Sequence, residues 1–399
     1  MVAPPVATIA AAPARIAALD LMRGAVMVFM AIDHTRDFFT NLSFVPEDLS
    51  QTWGTLFFTR WITHFCAPLF FFLAGTGAFF YGSRRTPSAL SRFLLTRGIW
   101  LIVAEFTIIG FGWTFVFPFG FLGVIWCLGV SMVFLSALVR LPLRWLAVVS
   151  GAVIVLHDLA DAYRPGPGTW TWVWQMFHVS GMVNIFGHRN FVLFPLMPWF
   201  AVMAIGYCFG ALLRRPDHQK WVLRLGVALT LAFVLLRSTN LYGNPPADLK
   251  VVTAGDFHIQ PTVGKTIMMF LDTEKYPPSL QYLLMTLGPS LLFLFALERY
   301  GIPRLAMPVV VFGRVPFFYY ILHIYVIHAL AVLAAIVFHQ PYNWLLHGGF
   351  FLSERPDGYG YGLPSVYLAW AIALLILYFP CVWFSRLKAE RKDWWLSYL

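Results

Sequence analysis

Ionisable side chains interrupt the first long apolar stretch of this chain at two places. Asp20 and Arg23 open the stretch from Leu19 to Phe39, an apolar run covers Ala25 to Ile32, and Asp33, His34, Arg36 and Asp37 close it. A histidine titrates near neutral pH, so His34 can take a proton from a hydroxyl or an amine without a large shift, which is the task of a general base. Asp33 or Asp37 is close enough in sequence to orient its ring and stabilise its charged form. The same residues also read as a packed histidine beside local pairs between Arg36 and the two aspartates. Asp20 and Arg23, spaced i and i+3, are either a neutralising pair that docks the segment or a charged site within the membrane.

Spacing assigns these groups to one face. On a helix turning about 100° per residue, Asp20, Arg23, Met27, Met30 and His34 form one stripe, with Arg23 and His34 roughly 16 Å apart along the axis. A second stripe lies in the stretch Val309–Phe338, predicted as one continuous helix, where Gly313, Pro316, Tyr320, His323 and Ile327 fall on one side. His323 sits at the depth of His34, and a core histidine is again the alternative reading. Glu105, inside the third apolar stretch, is a functional candidate or the partner of a helix-borne arginine. Lys275 stands beside the eighth.

The elements that must hold these residues are membrane helices. A 399-residue chain that is 59% hydrophobic and 12% charged, with a mean hydropathy of +0.72, is no ordinary soluble domain. About ten apolar stretches approach the twenty residues a bilayer requires: Ile16–Phe39, Phe57–Tyr81, Phe93–Trp113, Phe119–Val139, Leu143–Leu159, Leu193–Leu213, Trp221–Leu236, Leu280–Leu297, Val309–Phe338 and Val366–Ser385. The predicted fold is therefore an all-α polytopic membrane protein. The net charge of +10 comes from basic residues in short runs between these stretches, such as Arg84, Arg85, Arg92 and Arg97 after the second, and indicates no nucleic-acid site. The positive-inside rule then makes both termini cytoplasmic, and His34, His64 and His323 fall in the outer half of the membrane. The longer loops Ala160–Phe191, Arg237–Pro278 and His339–Pro364 lie outside.

Residues 1–14, rich in Ala and Pro, read as a disordered tail, residues 15–386 as a single membrane domain, and residues 387–399 as a cytoplasmic tail. Cys66, Cys127, Cys208 and Cys381 lie inside apolar stretches and imply neither a disulfide framework nor a thiolate site. The eleven histidines show no His-Glu-x-x-His spacing, so no metal is predicted. Trp170, Trp172 and Trp174 suit an interfacial belt or a surface that stacks on a sugar.

Arg23 and His34, with Leu19-Asp20 ahead of them, resemble the first membrane helix of the transmembrane acyltransferase superfamily. Gly313, an aromatic pair, Tyr320 and His323 are similar to the Gly-x-x-Ser-Tyr-x-x-Tyr-Leu-x-His stretch of its type-three branch, with Pro316 and Phe317 in place of Ser-Tyr. A closer resemblance is to the catalytic domain of the heparan-α-glucosaminide N-acetyltransferase family. It rests on Ala67-Pro68-Leu69-Phe70-Phe71-Phe72-Leu73-Ala74-Gly75 and on Lys275-Tyr276-Pro277-Pro278-Ser279-Leu280. That family's catalytic histidine has no counterpart here, because its position falls near Gly54 and the acid that follows it is replaced by His64. The type-three spacing implies His34 as the base instead.

The resemblance implies a membrane acyltransferase that passes an acetyl or other acyl group from cytoplasmic acetyl-CoA to an outward-facing, saccharide-type acceptor. His34, His323 and Asp33 are its candidate catalytic residues. The phosphates of the donor favour the basic loop of Arg84, Arg85, Arg92 and Arg97, with Asp20 and Arg23 nearer the pantetheine arm, although basic loops also serve topology alone. His64, Lys275, Tyr320 and Glu105 are candidate acceptor contacts. A bacterial inner membrane is the expected location, lipid the surroundings, and the oligomeric state, a homodimer included, stays open. The alternative is a proton-coupled transporter of a small solute or glycan precursor, or a scaffold in which the charges only lock helices together.

Overall fold

The computed structural model describes residues 14–117, 120–163, 165–166, 168–185, 187–245, 255–349 and 354–399. The expected disordered tail lies outside them except for Ala14. The chain is mostly helical. Among the described residues seven helices are long and apolar enough to cross a membrane: α2 (Gly54–Gly82), α3 (Pro87–Thr114), α5 (Leu143–Ala162), α8 (His218–Thr239), α10 (Leu280–Tyr300), α12 (Pro316–Val337) and α14 (Leu363–Glu390). Two shorter apolar helices, α4 (Val124–Leu138) and α7 (Trp199–Leu212), join them. The 26-residue α1 (Ala14–Phe39) carries the charges described above. Each expected apolar stretch thus has its helix, and the protein is a polytopic membrane protein.

The helix α1 is central, packing on α2, α10, α12 and α14 and on α11 (Met307–Arg314). Small residues bring α1 and α11 into backbone contact. A Cβ built on Gly313 would lie 1.8 Å from the Asp20 carbonyl oxygen, and one on Gly24 would lie 1.9 Å from that of Val309. Close approach of this kind is how helices associate where no water drives them together. It also fixes the Asp20 turn against Arg314. The peripheral helices α5, α8 and α14 turn residues such as Val148, Leu231, Leu235 and Phe379 outward, as lipid-facing surfaces require.

Three departures from the sequence reading shape the site. The ninth stretch is two helices, because Pro316 lacks an N–H and crowds the residue before it; Val315 leaves helical geometry at φ −130°, ψ 51°. Within α3 the turn Glu105–Ile109 is a π-helix, a local widening that is common at functional sites. The loop before α7 contains α6 (Thr169–His178) and a hairpin of β2 (Gly181–Ile185) and β3 (His188–Val192), and β3 also pairs parallel with β1 (Phe121–Leu122), which lies ahead of α4. The two remaining short helices are α9 (Val263–Leu271) and α13 (Asn343–Leu346). Residues 387–399 are no free tail: α14 continues to Glu390, and the segment after it folds back so that Arg97 donates to the Ser397 carbonyl and Tyr398 meets the Thr96 hydroxyl at 2.8 Å.

Candidate active site

Two cavities lie back to back along α1. One, of about 300 Å³, is lined by His34, Asp33, Arg36, Arg60, Glu105 and Lys275 among others. The other, of about 390 Å³, is walled by apolar residues of α1, α2, α3, α4 and α12 and carries Arg23, Arg97 and Lys388. Phe70, Val124 and Tyr320 line both.

His34 and His323, on different helices, meet at 2.7 Å between Nδ1 and Nε2. Their protons follow from the acceptors around them. His323 Nδ1 faces the main-chain carbonyls of Tyr320 and Tyr319, which only accept, so this nitrogen carries the hydrogen. Its Nε2 therefore accepts from the Nδ1–H of His34, which leaves the lone pair of the His34 ring on Nε2. His323 is fully buried, whereas His34 is partly open to its cavity. Trp113 packs edge-on against the His34 ring, with centroids 4.6 Å apart, and holds it from the side. The pair can thus accept one proton at His34 and spread the charge into His323.

The carboxylate expected to orient His34 is occupied elsewhere. Asp33 binds Arg36 at 2.9 Å and Arg60 at 2.6 Å, and Arg36 also binds Asp37 at 2.7 Å. Arg60 reaches Glu47 at 2.7 Å from the other side. Burial alone would raise the Glu47 carboxyl, but the charge and hydrogen bond of Arg60 together with the charges of His64 and Arg36 outweigh it and leave the group below its ordinary value. These residues form a continuous buried ion network that seats α2 on α1. Glu47 and Arg60 carried no signal in the sequence as a pair, because a loop separates them.

Of the candidate acceptor contacts, Lys275, Tyr320 and Glu105 line the His34 cavity and His64 does not. His64 is buried beside Tyr282, which donates to its carbonyl at 2.7 Å, so its place is in the packing of α2 on α10. Glu105 has no arginine partner: it accepts the main-chain N–H of Trp126 at 2.7 Å, at the N-terminus of α4. Lys275 is buried and has no carboxylate within salt-bridge distance among the described residues. Trp170, Trp172 and Trp174 lie on α6, away from both cavities.

In the other cavity the Asp20–Arg23 pair is present at 3.1 Å, with Arg23 also donating to the Leu73 carbonyl and Arg314 lying 4.0 Å from Asp20. Arg84 and Arg85 do not reach it. Arg85 turns back over the Tyr81 ring, and Arg84 is exposed. The cations at the cavity are Arg97 and Lys388 instead, and the fold-back after α14 brings Ser397 beside them. Arg23, Arg97 and Lys388 thus give an otherwise apolar cavity a cationic lining. Among the described residues no group of three or more His, Cys, Asp or Glu side chains is placed to hold a metal ion.

The sequence profile of the family described as heparan-alpha-glucosaminide N-acetyltransferase, catalytic, matches residues 15–239. The chain belongs to this family. No curated protein matches the chain. The heparan-alpha-glucosaminide N-acetyltransferase family is one of membrane acetyltransferases and in general draws on acetyl-CoA. The matched stretch runs from α1 through α8 and holds His34, Asp33, Arg60 and Glu105. Lys275, Tyr320 and His323 lie beyond it.

Proposed function

We propose that the protein transfers an acetyl group from acetyl-CoA, taken up in the Arg23 cavity, to a hydroxyl or amino group of a saccharide held in the His34 cavity. The observation that carries this reading is the pair of cavities joined at one thin wall, with a base on one side and a basic slot on the other. Bound acetyl-CoA supplies an activated acyl group as a thioester. Arg97 and Lys388 bind its phosphates, and Arg23, held by Asp20, lines the cavity that guides its arm. His34 Nε2 takes the proton from the acceptor, and His323 fixes the tautomer that exposes this nitrogen. The basic loops favour an orientation in which the Arg23 cavity opens to the cytoplasm and the His34 cavity to the outside, in a bacterial inner membrane.

Purified protein incubated with radiolabelled acetyl-CoA and an envelope glycan extract tests the reading. Label in glycan, absent with the His34→Ala variant, is the expected result. Solute flux through sealed vesicles without donor, and no labelled glycan, would favour the transporter.

A further inference from the structure

Acyl transfer needs a donor for the charge that develops on the acyl oxygen, and neither His34 nor the basic slot supplies one. The reacting carbon must be reached from both cavities, so it has to lie at their common wall. That wall consists of Phe70, Val124 and Tyr320, and Tyr320 alone among these three carries a hydrogen-bonding side chain. Lys275 lines the His34 cavity and is no part of the common wall, and the other charged groups nearby are committed. Arg36 and Arg60 are held by carboxylates, Arg23 by Asp20, and Glu105 by the N-terminus of α4.

Tyr320 lines both cavities and carries a phenol that can donate one hydrogen bond. Tyr320 sits one helical turn before His323 and on the same face of α12, so one short segment carries the wall and the residue that orients the base. Its ring is buried, at 4% exposure, which holds the hydroxyl in one place.

We infer that Tyr320 is a catalytic residue that donates its phenol hydrogen bond to the acyl oxygen as the acceptor attacks. This rests on the acetyl-transfer reading above. The acceptor's lone pair forms the bond to the acyl carbon, and the carbonyl π pair moves onto the oxygen facing Tyr320. The acceptor's proton passes to His34. The π pair then returns and the carbon–sulfur bond breaks, with its electrons leaving on the thiolate. Tyr320 keeps its proton throughout and acts only on the intermediate charge.

Tyr320→Phe keeps the ring and removes the donor. Its kcat should fall about 10²–10³-fold, while KM for acetyl-CoA and for the acceptor each move less than about twofold, because the bond matters only as charge develops. A purely structural role would disturb binding or folding instead. Incorporation of 3-fluorotyrosine at position 320, which preserves the fold and makes the phenol more acidic, should raise kcat. A Tyr320→Phe enzyme within threefold of wild-type kcat, or a turnover indifferent to fluorination, overturns the assignment while leaving the acetyl-transfer reading intact. A wild-type protein that acetylates no acceptor overturns both.

Discussion

The two cavities share three side chains and little else. The His34 cavity is built on paired charges: Asp33, Arg36, Asp37, Arg60 and Glu47 satisfy one another, so its walls are rigid and its one half-exposed histidine is free to exchange a proton. The Arg23 cavity is a slot of aliphatic and aromatic walls with cations at its end. Ion networks inside a membrane protein are expensive and are kept where geometry has to be fixed. On the proposed reading, the first cavity holds the chemistry and the second receives the anionic donor.

Substitutions can break this contrast. The largest effect should come from His34→Ala, which removes the proton acceptor. Turnover should fall about 10²–10⁴-fold, with donor binding and thermal stability nearly unchanged. If His34→Ala retained turnover and His323→Ala abolished it, the base would be His323.

Next in size, Arg60→Met removes the cation that two carboxylates share. It should destabilise the fold by about 3–5 kcal/mol, measured by thermal unfolding in detergent, because Glu47 is left buried and unpaired and Asp33 keeps only Arg36. An effect below about 1 kcal/mol would mean that water reaches the network.

Arg97→Ala and Lys388→Ala sharpen the other half of the contrast. Each should raise the KM for acetyl-CoA about tenfold with kcat little changed, whereas Arg84→Ala and Arg85→Ala should alter neither parameter by more than about twofold. Donor affinity that instead tracks Arg84 and Arg85 would move the phosphate site to the exposed loop.

The smallest effect concerns pH. Glu47 titrates below its ordinary value in the fold, so its bond with Arg60 stabilises the protein above the unfolded carboxyl's pKa, and that stability is lost as pH falls through the folded one. Glu47→Gln should therefore flatten the acid limb of the stability profile and leave the profile near neutral pH parallel to wild type. An unchanged acid limb would assign it to another carboxylate.

Much of this was legible from spacing alone. The helical period put Arg23 and His34 on one stripe of α1 and His323 at matching depth, because depth and face are local properties of a helix. That the two histidines touch was not legible, since contact depends on the glycine crossing at Gly24 and Gly313, which seats α1 on α11. The break before α12 was passed over in the reading of one continuous helix, although Pro316 carries its physical cause. The π-turn at Glu105 has no periodicity to announce it, and its partner proved to be a helix end and not an arginine. Arg97 was legible as one member of the basic loop with Arg84, Arg85 and Arg92, but that it alone of the four lines the cavity was not, and neither was its meeting with Lys388, which α14 and the fold-back after it bring there.

The wall of Phe70, Val124 and Tyr320 also has an electrical consequence. In the proposed transfer the acetyl group is uncharged, and the phosphates that bring it remain on the Arg23 side. A proton that His34 releases into its own cavity leaves the thiolate to be neutralised from the other side. Each turnover then displaces one elementary charge across the wall, about 2.3 kcal/mol per 100 mV of applied potential. Acetyl transfer in sealed vesicles therefore carries a voltage signature, slowing as the His34 side is made positive.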